Sequence, residues 1–302
     1  MIGNGFDLDV NFKTKYTDYY NIWKRNNLWP FEDSNNGLGG YIDACAKTDN
    51  WLDLEKSLFD YATADNGAVT RTSGRNNSIK TDERDFKALV ANLTLFISRI
   101  PEETIIDNKS VAAQVLRAVL DNGSFSIYSF NYTNLNSIAD RLYRSATDDY
   151  IEHNISYIPV HGSVEENDII LGVHSDANLI EGYDFLKKVY QPNYHNNNLI
   201  QDLDNANEIV FFGLSMGIID FPYFRHLFSS LCTGIVPIEK KKKITFFTFD
   251  ESSRMDIHRH LSTLTGTDLS SMKSNCFMEF IRTENCASED KAKLNAWIAS
   301  QK

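Results

Sequence analysis

The first half of the chain carries apolar residues at helical spacing. Apolar positions recur at i, i+3, i+4 and i+7 and predict helices over 50–62, 82–100 and 110–120. Between the first two helices, residues 65–80 are rich in Asn, Gly, Ser and Thr and predict a mobile loop. The first half is therefore expected to be mostly helical.

After Gly123, short apolar runs alternate with helical stretches. The runs predict strands over 125–130, 156–160, 169–173, 209–213, 244–249 and 276–281, and helices over 134–144, 221–231, 252–264 and 288–300. Alternating strands and helices predict an α/β fold with a doubly wound, mainly parallel, Rossmann-like sheet. We expect residues 1–10 and 121–302 to form this domain, and residues 11–120 to form a helical insertion subdomain.

Composition and charge narrow the class of protein. The 302 residues are 42% hydrophobic and 24% charged, which allows a packed core and excludes disorder of the whole chain. A net charge of −11 argues against non-specific binding of nucleic acid, but it allows a small nucleotide pocket. The four cysteines have irregular spacing, which argues against a zinc site and a disulfide scaffold, and we predict no metal.

The sequence shows no signal for secretion or for insertion into a membrane. The longest apolar stretch, 209–219, is interrupted by glycine and serine and is too short to span a bilayer. The N-terminus lacks the charged and apolar regions of a secretory signal. We therefore expect a cytoplasmic protein that does not enter the membrane.

Residues with useful chemistry follow the predicted strands. The carboxyl ends of parallel strands meet at one edge of a sheet, where ligands bind. Small, hydroxyl, amide and imidazole side chains lie at five such ends: Gly3, Asn4, Gly5, Phe6 and Asp7; Ser129, Asn131 and Thr133; His161 and Gly162; Gly172, His174, Ser175 and Asp176; and Gly213, Ser215, Gly217 and Asp220. This clustering predicts a ligand site at the strand ends.

The glycine-containing turns have two interpretations. Gly3-x-Gly5 allows a diphosphate to approach the backbone N–H groups, but glycine pairs are also common in turns. Gly213-x-Ser215-x-Gly217 matches a nucleophile elbow, which would make the protein a serine hydrolase. The histidines at 258 and 260 lie two residues apart on a predicted helix and face apart, so we favour a role for Ser215 as a hydroxyl donor to phosphate or ribose.

The polar side chains at the other strand ends also leave alternatives open. His161 fits a general base or a capping or core histidine. Asn131 fits a ligand for a ribose hydroxyl or water, or a turn residue. Asp53 and Glu55 are expected to be solvated charges on a helix, with Trp51 in the core.

The first predicted strand is short. Only Met1 and Ile2 precede the glycine turn, whereas a typical strand has about five to six residues. Either the native chain starts upstream of Met1, or the turn is poorly anchored.

As a set, several segments resemble the AbiH family of bacteriophage abortive-infection proteins. They are G-N-G-F-D-L from Gly3, W-L-D-L-E from Trp51, S-F-N-Y-T from Ser129, H-G at His161, and F-G-L-S-M-G-x-x-D-x-x-Y-F from Phe212 to Phe224. AbiH proteins in turn look like distant relatives of sirtuin-type NAD-binding domains. The resemblance implies a sirtuin-like fold and a phage-defence protein that cleaves the nicotinamide–ribose bond of NAD(P).

The resemblance also implies roles for individual residues. Gly3, Asn4 and Gly5 would line the diphosphate, while Gly213 and Ser215 would close the other side of the dinucleotide. Asn131 would orient the nicotinamide ribose or a water, and His161 would be the general base. The predicted cofactor-binding set is completed by Phe6, Asp7, Ser129 and Asp220.

The expected ligand is NAD, as substrate or bound nucleotide, and the expected partner is a phage-derived trigger or protein. Homo-oligomerisation is left open. The main alternative is a nucleotide sensor or scaffold that binds without turnover, and a further alternative is a serine hydrolase acting through Ser215.

Overall fold

The computed structural model describes residues 1–31, 37–48, 53–63, 75–144, 155–194, 198–217, 219–266 and 268–302. The chain divides into two compact units. The first unit comprises Met1–Phe12, Thr104–Val160 and Asn196–Lys302, and the second comprises Lys13–Glu103 and His161–His195.

The first unit is a mixed α/β structure with short parallel sheets. Its strands are β1 (Ile127–Ser129), β2 (Tyr157–Pro159), β3 (Glu208–Phe212), β4 (Lys242–Thr248) and β5 (Cys276–Arg282). β1 pairs with β2, and β4 lies between β3 and β5, all in parallel. Its helices are α1 (Asn4–Asp9), α6 (Val111–Asn122), α7 (Leu135–Arg144), α8 (Leu199–Asn205), α9 (Phe221–Ser230), α10 (Glu251–Leu264), α11 (Leu269–Asn275) and α12 (Ser288–Ser300).

Ile2 connects the two groups of strands. It forms parallel bridges to Ser129 on one side and to Phe212 on the other. Its N–H donates to the carbonyl of Tyr128 at 2.9 Å, and its carbonyl accepts from the N–H of Phe130 at 2.8 Å. The order across the unit is therefore β2, β1, Ile2, β3, β4, β5. Of the two alternatives for the short first strand, the poorly anchored turn is wrong, because Ile2 is paired on both sides.

Aromatic side chains cover both faces of β3 and β4. On one face, the rings of Phe211 and Phe246 stack at 4.9 Å, and Phe211 also packs against Phe224 of α9. On the other face, Phe247 packs edge-on against Trp297 of α12. Strands buried on both faces have continuous apolar runs, which explains why their positions are visible in the sequence.

The second unit contains α2 (Tyr16–Arg25), α3 (Gly37–Thr48), α4 (Leu54–Ala62) and α5 (Arg75–Glu103), together with short 3-10 turns at Asp184–Leu186 and Lys188–Tyr190. Asp82 of α5 organises this unit from a fully buried position. Its carboxylate accepts from the N–H of Leu38 at 2.8 Å and from the hydroxyls of Tyr61 and Tyr183 at 2.8 and 2.6 Å. This one side chain of α5 thus links α5 to α3, to α4 and to Tyr183.

Most of the predicted elements are confirmed, but two predictions are wrong in part or in full. Residues 169–173 form no strand: Ile170 bonds to the carbonyl of His161, and Val173 forms a single bridge to Lys187. A short buried apolar run cannot by periodicity alone be assigned to a sheet. The predicted loop over 65–80 is helical from Arg75 onward, and residues 65–74 lie outside the described residues.

The described helices include none with both the length and the apolar character required to cross a bilayer.

Candidate functional site

Three loops at the carboxyl ends of parallel strands meet in the first unit. They follow Ile2, β1 and β3. The N–H groups of Gly3 and Gly5 donate to the carbonyls of Phe212 and Gly213, each at 2.9 Å. The Asn131 amide nitrogen donates to the carbonyl of Gly3 at 3.1 Å. The structure therefore brings together three of the predicted strand ends.

Glycine at two of these positions is required by the close approach of the backbones. A Cβ on Gly5 would lie 2.6 Å from the Cα of Gly213, and a Cβ on Gly213 would lie 2.4 Å from the Cα of Gly5. Gly213 also has a φ of 61°, which disfavours residues with a side chain. The contact between the two loops thus accounts for both glycines, and the predicted diphosphate contact of Gly3, Asn4 and Gly5 stays a prediction.

A buried polar cluster of Asp7, Asn131 and Thr133 lies where these loops meet. Asp7 is 1% exposed. Its Oδ1 accepts from Asn131 Nδ2 at 2.8 Å, and its Oδ2 accepts from the Thr133 hydroxyl at 2.8 Å. Two neutral donors thus satisfy one carboxyl group.

Burial controls the titration of Asp7. Removal from water raises the pKa of Asp7 to about 7, and the hydrogen bonds from Thr133 and Asn131 oppose that rise. A carboxyl group with a pKa near neutrality is suited to proton transfer, and such groups are common at functional sites.

Two other predicted ligand residues are buried here. Ser129 is 2% exposed, and its hydroxyl accepts from the N–H of Asn131 at 3.2 Å. Phe6 is 1% exposed and packs edge-on against Phe212 at 5.4 Å. In the structure, these side chains contact other residues of the strand ends.

The loop after β3 exposes Ser215. Its carbonyl oxygen accepts a hydrogen bond from Nδ1 of His260 at 2.7 Å, and its hydroxyl accepts from the N–H of Gly217 at 3.4 Å. α9 begins only at Phe221, with the N–H of Asp220 bonded to the Gly217 carbonyl at 2.9 Å. A nucleophile elbow turns directly from strand to helix, so this longer connection does not favour the serine hydrolase interpretation.

His161 is the centre of a separate buried cluster in the second unit. It is 4% exposed, and its Nε2 lies 3.0 Å from Nζ of Lys188. Because a lysine ammonium group can only donate, Nε2 is the acceptor. Burial, and secondarily the charge of Lys188, lower the pKa of His161 well below its ordinary value. The imidazole is therefore neutral at neutral pH, with one lone pair already engaged.

Lys188 also contacts Glu55. The Nζ–Oε1 distance is 2.8 Å, and the side chain of Lys188 is 2% exposed. The expectation that Glu55 is a solvated helix charge is wrong, because the fold buries it against this cation. Asp53 instead caps α4 by accepting from the N–H of Lys56 at 3.0 Å, and Trp51 lies outside the described residues.

Gly162 beside His161 has a conformational explanation. Its φ is 71°, and a Cβ there would lie 2.1 Å from the carbonyl oxygen of Asp168. The following N–H, that of Ser163, donates to the Asp168 carboxylate at 2.6 Å. The His-Gly pair therefore forms a tight turn.

The structure places the predicted catalytic pair in different units: Asn131 in the first and His161 in the second. Their meeting over one ligand stays a prediction. Sequence reasoning missed Lys188 and His260 as partners of predicted site residues. Lys188 is one of two adjacent lysines with nothing to mark it as buried, and the helical spacing of His258 and His260 shows that they face apart but not which of them meets the Ser215 loop.

A family model described as "Bacteriophage abortive infection AbiH" matches residues 1–237. No curated protein matches the chain. The match includes all the strand-end loops described above and ends before β4.

Proposed function

The chain belongs to the AbiH family, which supports a role in bacteriophage abortive infection, and we propose that it fulfils this role by binding NAD or a related dinucleotide at the strand ends of the first unit and cleaving its nicotinamide–ribose bond. The observation that carries the proposal is the meeting of three loops around Asp7 and Asn131. Loss of NAD from an infected cell would halt the growth of cell and phage together.

The order of the strands supports dinucleotide binding. With Ile2 counted as the first strand, the order across the sheet is third, second, first, fourth, fifth and sixth. Doubly wound, Rossmann-like folds have this order and bind dinucleotides where it reverses, between the first and fourth strands. We propose this fold for the first unit. The glycine loops after Ile2 and β3 flank that point.

The proposed reaction is a hydrolysis. The bond from the nicotinamide nitrogen to the ribose C1′ breaks, nicotinamide leaves with the bonding electrons, water adds to C1′, and one proton is released. Asn131 can orient a ribose hydroxyl or the water, and exclusion of bulk water protects the cationic ribose as it forms. For His161 to act as the proposed general base through Nε2, that atom would have to give up the hydrogen bond that it accepts from Lys188.

Binding without turnover is the second candidate. It is favoured by internal hydrogen bonds that engage Nδ2 of Asn131 and Nε2 of His161. Neither atom is free to act on a ligand in this conformation. A protein of this kind would sense NAD or a product of its cleavage.

One experiment separates these candidates. The protein is incubated with NAD while free nicotinamide is quantified, and NAD and ADP-ribose binding is measured by calorimetry. We expect nicotinamide release that Asn131→Ala abolishes. Asn122→Ala is the matched control, since Asn122 is in the same unit but bonds to the carbonyl of Gln301. Binding without release would support the sensor, and absence of both would contradict dinucleotide recognition.

A further inference from the structure

We propose that Asp7 is a positioning residue that fixes the polarity of Asn131, so that the strand-end site offers its ligand a hydrogen-bond acceptor and selects a group that donates. This inference rests on the proposed function, because it concerns the same site. It assigns to Asp7 a role other than direct contact with the cofactor.

The two N–H bonds of the Asn131 carboxamide are directed at two acceptors. One is Oδ1 of Asp7 at 2.8 Å, and the other is the main-chain carbonyl of Gly3 at 3.1 Å. A carbonyl cannot donate, and neither can an ionised carboxylate, so the nitrogen of the carboxamide must face both. The group that Asn131 can present to a ligand is then its oxygen.

Thr133 maintains this arrangement when Asp7 takes up a proton. The Thr133 hydroxyl contacts Oδ2, the oxygen that does not bond to Asn131. A hydroxyl both donates and accepts, so it can accept the proton carried by a neutral carboxyl group. Oδ1 then continues to accept from Asn131 on both sides of the Asp7 pKa of about 7.

Two charged groups, one on α1 and one on α6, are engaged with main-chain groups. Asp9 of α1 accepts from the N–H of Ala112 at 2.7 Å. Arg117 of α6 donates to the carbonyls of Asn108 and Leu142 at 2.8 and 3.2 Å. The groups that act on the pKa of Asp7 are the neutral donors Thr133 and Asn131, which oppose the effect of burial.

The fixed polarity selects the kind of ligand group that binds here. A sugar hydroxyl or a water can donate to the Asn131 oxygen, whereas a diphosphate carries only acceptors at neutral pH. The end of β1 should therefore receive the ribose or an attacking water, and the diphosphate must bind elsewhere.

The test compares Asp7→Asn with Asp7→Leu by NAD calorimetry. Asn keeps an acceptor for Asn131, whereas Leu removes it and leaves the carboxamide held by the carbonyl of Gly3. We expect Asp7→Leu to weaken NAD binding at least ~10-fold, the equivalent of one lost hydrogen bond, and Asp7→Asn to recover most of that loss. Asp9→Asn is the matched control, since it makes the same change on the same helix at a carboxylate bonded to α6.

Equal losses of affinity in folded Asp7→Asn and Asp7→Leu would overturn the inference. Should Asp7→Leu fail to fold, Thr133→Val provides the second arm. Its valine cannot accept the Asp7 proton, so that proton competes for the oxygen that Asn131 uses. We expect NAD affinity to fall about threefold more between about pH 8 and pH 6 than in the wild type, and Thr133→Ser to restore the wild-type profile. An unchanged profile in Thr133→Val would also overturn the inference.

Failure of dinucleotide binding, on which the proposed function depends, gives a different result, since the wild type would then not bind NAD at any pH. In that case the inference is judged from the side-chain amide protons of Asn131 by NMR. Hydrogen-bonded shifts for both protons in the wild type and Asp7→Asn would support fixed polarity. Shifts typical of a freely solvated amide in the wild type would contradict it.

Discussion

Asp7 in the first unit and Glu55 in the second are both carboxyl groups largely removed from water, but their neighbours differ in charge. Asp7 is held by the neutral donors Asn131 and Thr133. Glu55 is held by the ammonium group of Lys188 at 2.8 Å. Burial raises the pKa of both groups, and at Glu55 the positive charge of Lys188 opposes the rise most strongly.

Because of this difference, the Asp7 cluster can exchange a proton near neutral pH, whereas the cluster around Lys188 stabilises the fold. Burial among neutral donors places the pKa of Asp7 at about 7, so its protonation can respond to a ligand. Lys188 joins the α4 carboxylate of Glu55 to the imidazole of His161 and thereby ties together three segments of the second unit. His161 is part of this support, and its role as a general base stays a prediction.

The largest effect is expected from Lys188→Met. Removing one partner of a buried ion pair leaves the other charge uncompensated, which costs about 3–5 kcal/mol. Chemical denaturation would measure this as a loss in the free energy of unfolding. Lys187→Met is the matched control, because the adjacent lysine pairs with Asp184, whose side chain is 63% exposed, and should cost less than ~1 kcal/mol. Equal losses of unfolding free energy in the two variants would show that the contacts of Lys188 with Glu55 and His161 do not support the fold.

A smaller, pH-dependent effect is expected at Asp7. Its folded-state pKa of about 7 lies above the ordinary value of 3.8, so its contribution to stability is complete below pH ~4 and is lost as the pH rises through 7. A pKa difference of this size corresponds to at most about 4 kcal/mol. Asp7→Asn should remove this dependence, which urea unfolding near pH 5 and pH 8 would reveal. A variant that loses stability with pH as steeply as the wild type would exclude Asp7 as the titrating group.

The elements that could be predicted from the sequence are those with a regular pattern of apolar residues. β3, β4 and the helices that pack on them have continuous apolar runs or helical periodicity, so their positions were confirmed. The strand-end residues were also identifiable, because small and polar side chains directly follow buried runs. The pairing of Ile2 on both sides was not predictable, since a single bridging residue has no periodicity.

The partners of the site residues depend on long-range packing that no local pattern records. Lys187 and Lys188 are neighbours, yet only Lys188 is turned into the interior to meet Glu55 and His161. Asp7 is likewise one of several acidic residues near the N-terminus, and its contact with Asn131 joins positions 124 residues apart in sequence. Predicting such contacts requires the tertiary structure.

The smallest effect is expected from Gly213→Ala, which tests the contact between the loops after Ile2 and β3. These loops are joined by backbone contact, whereas Lys188, Glu55 and His161 are joined by polar side chains. Gly213→Ala would place a Cβ 2.4 Å from the Cα of Gly5, at a φ of 61°. We expect a loss of about 2–3 kcal/mol, from a clash that neither backbone can relieve and from the left-handed conformation. Gly266→Ala is a close control, since Gly266 also has a φ of 61° but meets nothing within 4 Å, and it should cost only about 1 kcal/mol. Urea unfolding measures the loss of stability in each variant, and the excess loss in Gly213→Ala is the contribution of the loop contact. Equal losses in the two variants would show that the loops after Ile2 and β3 do not pack against each other.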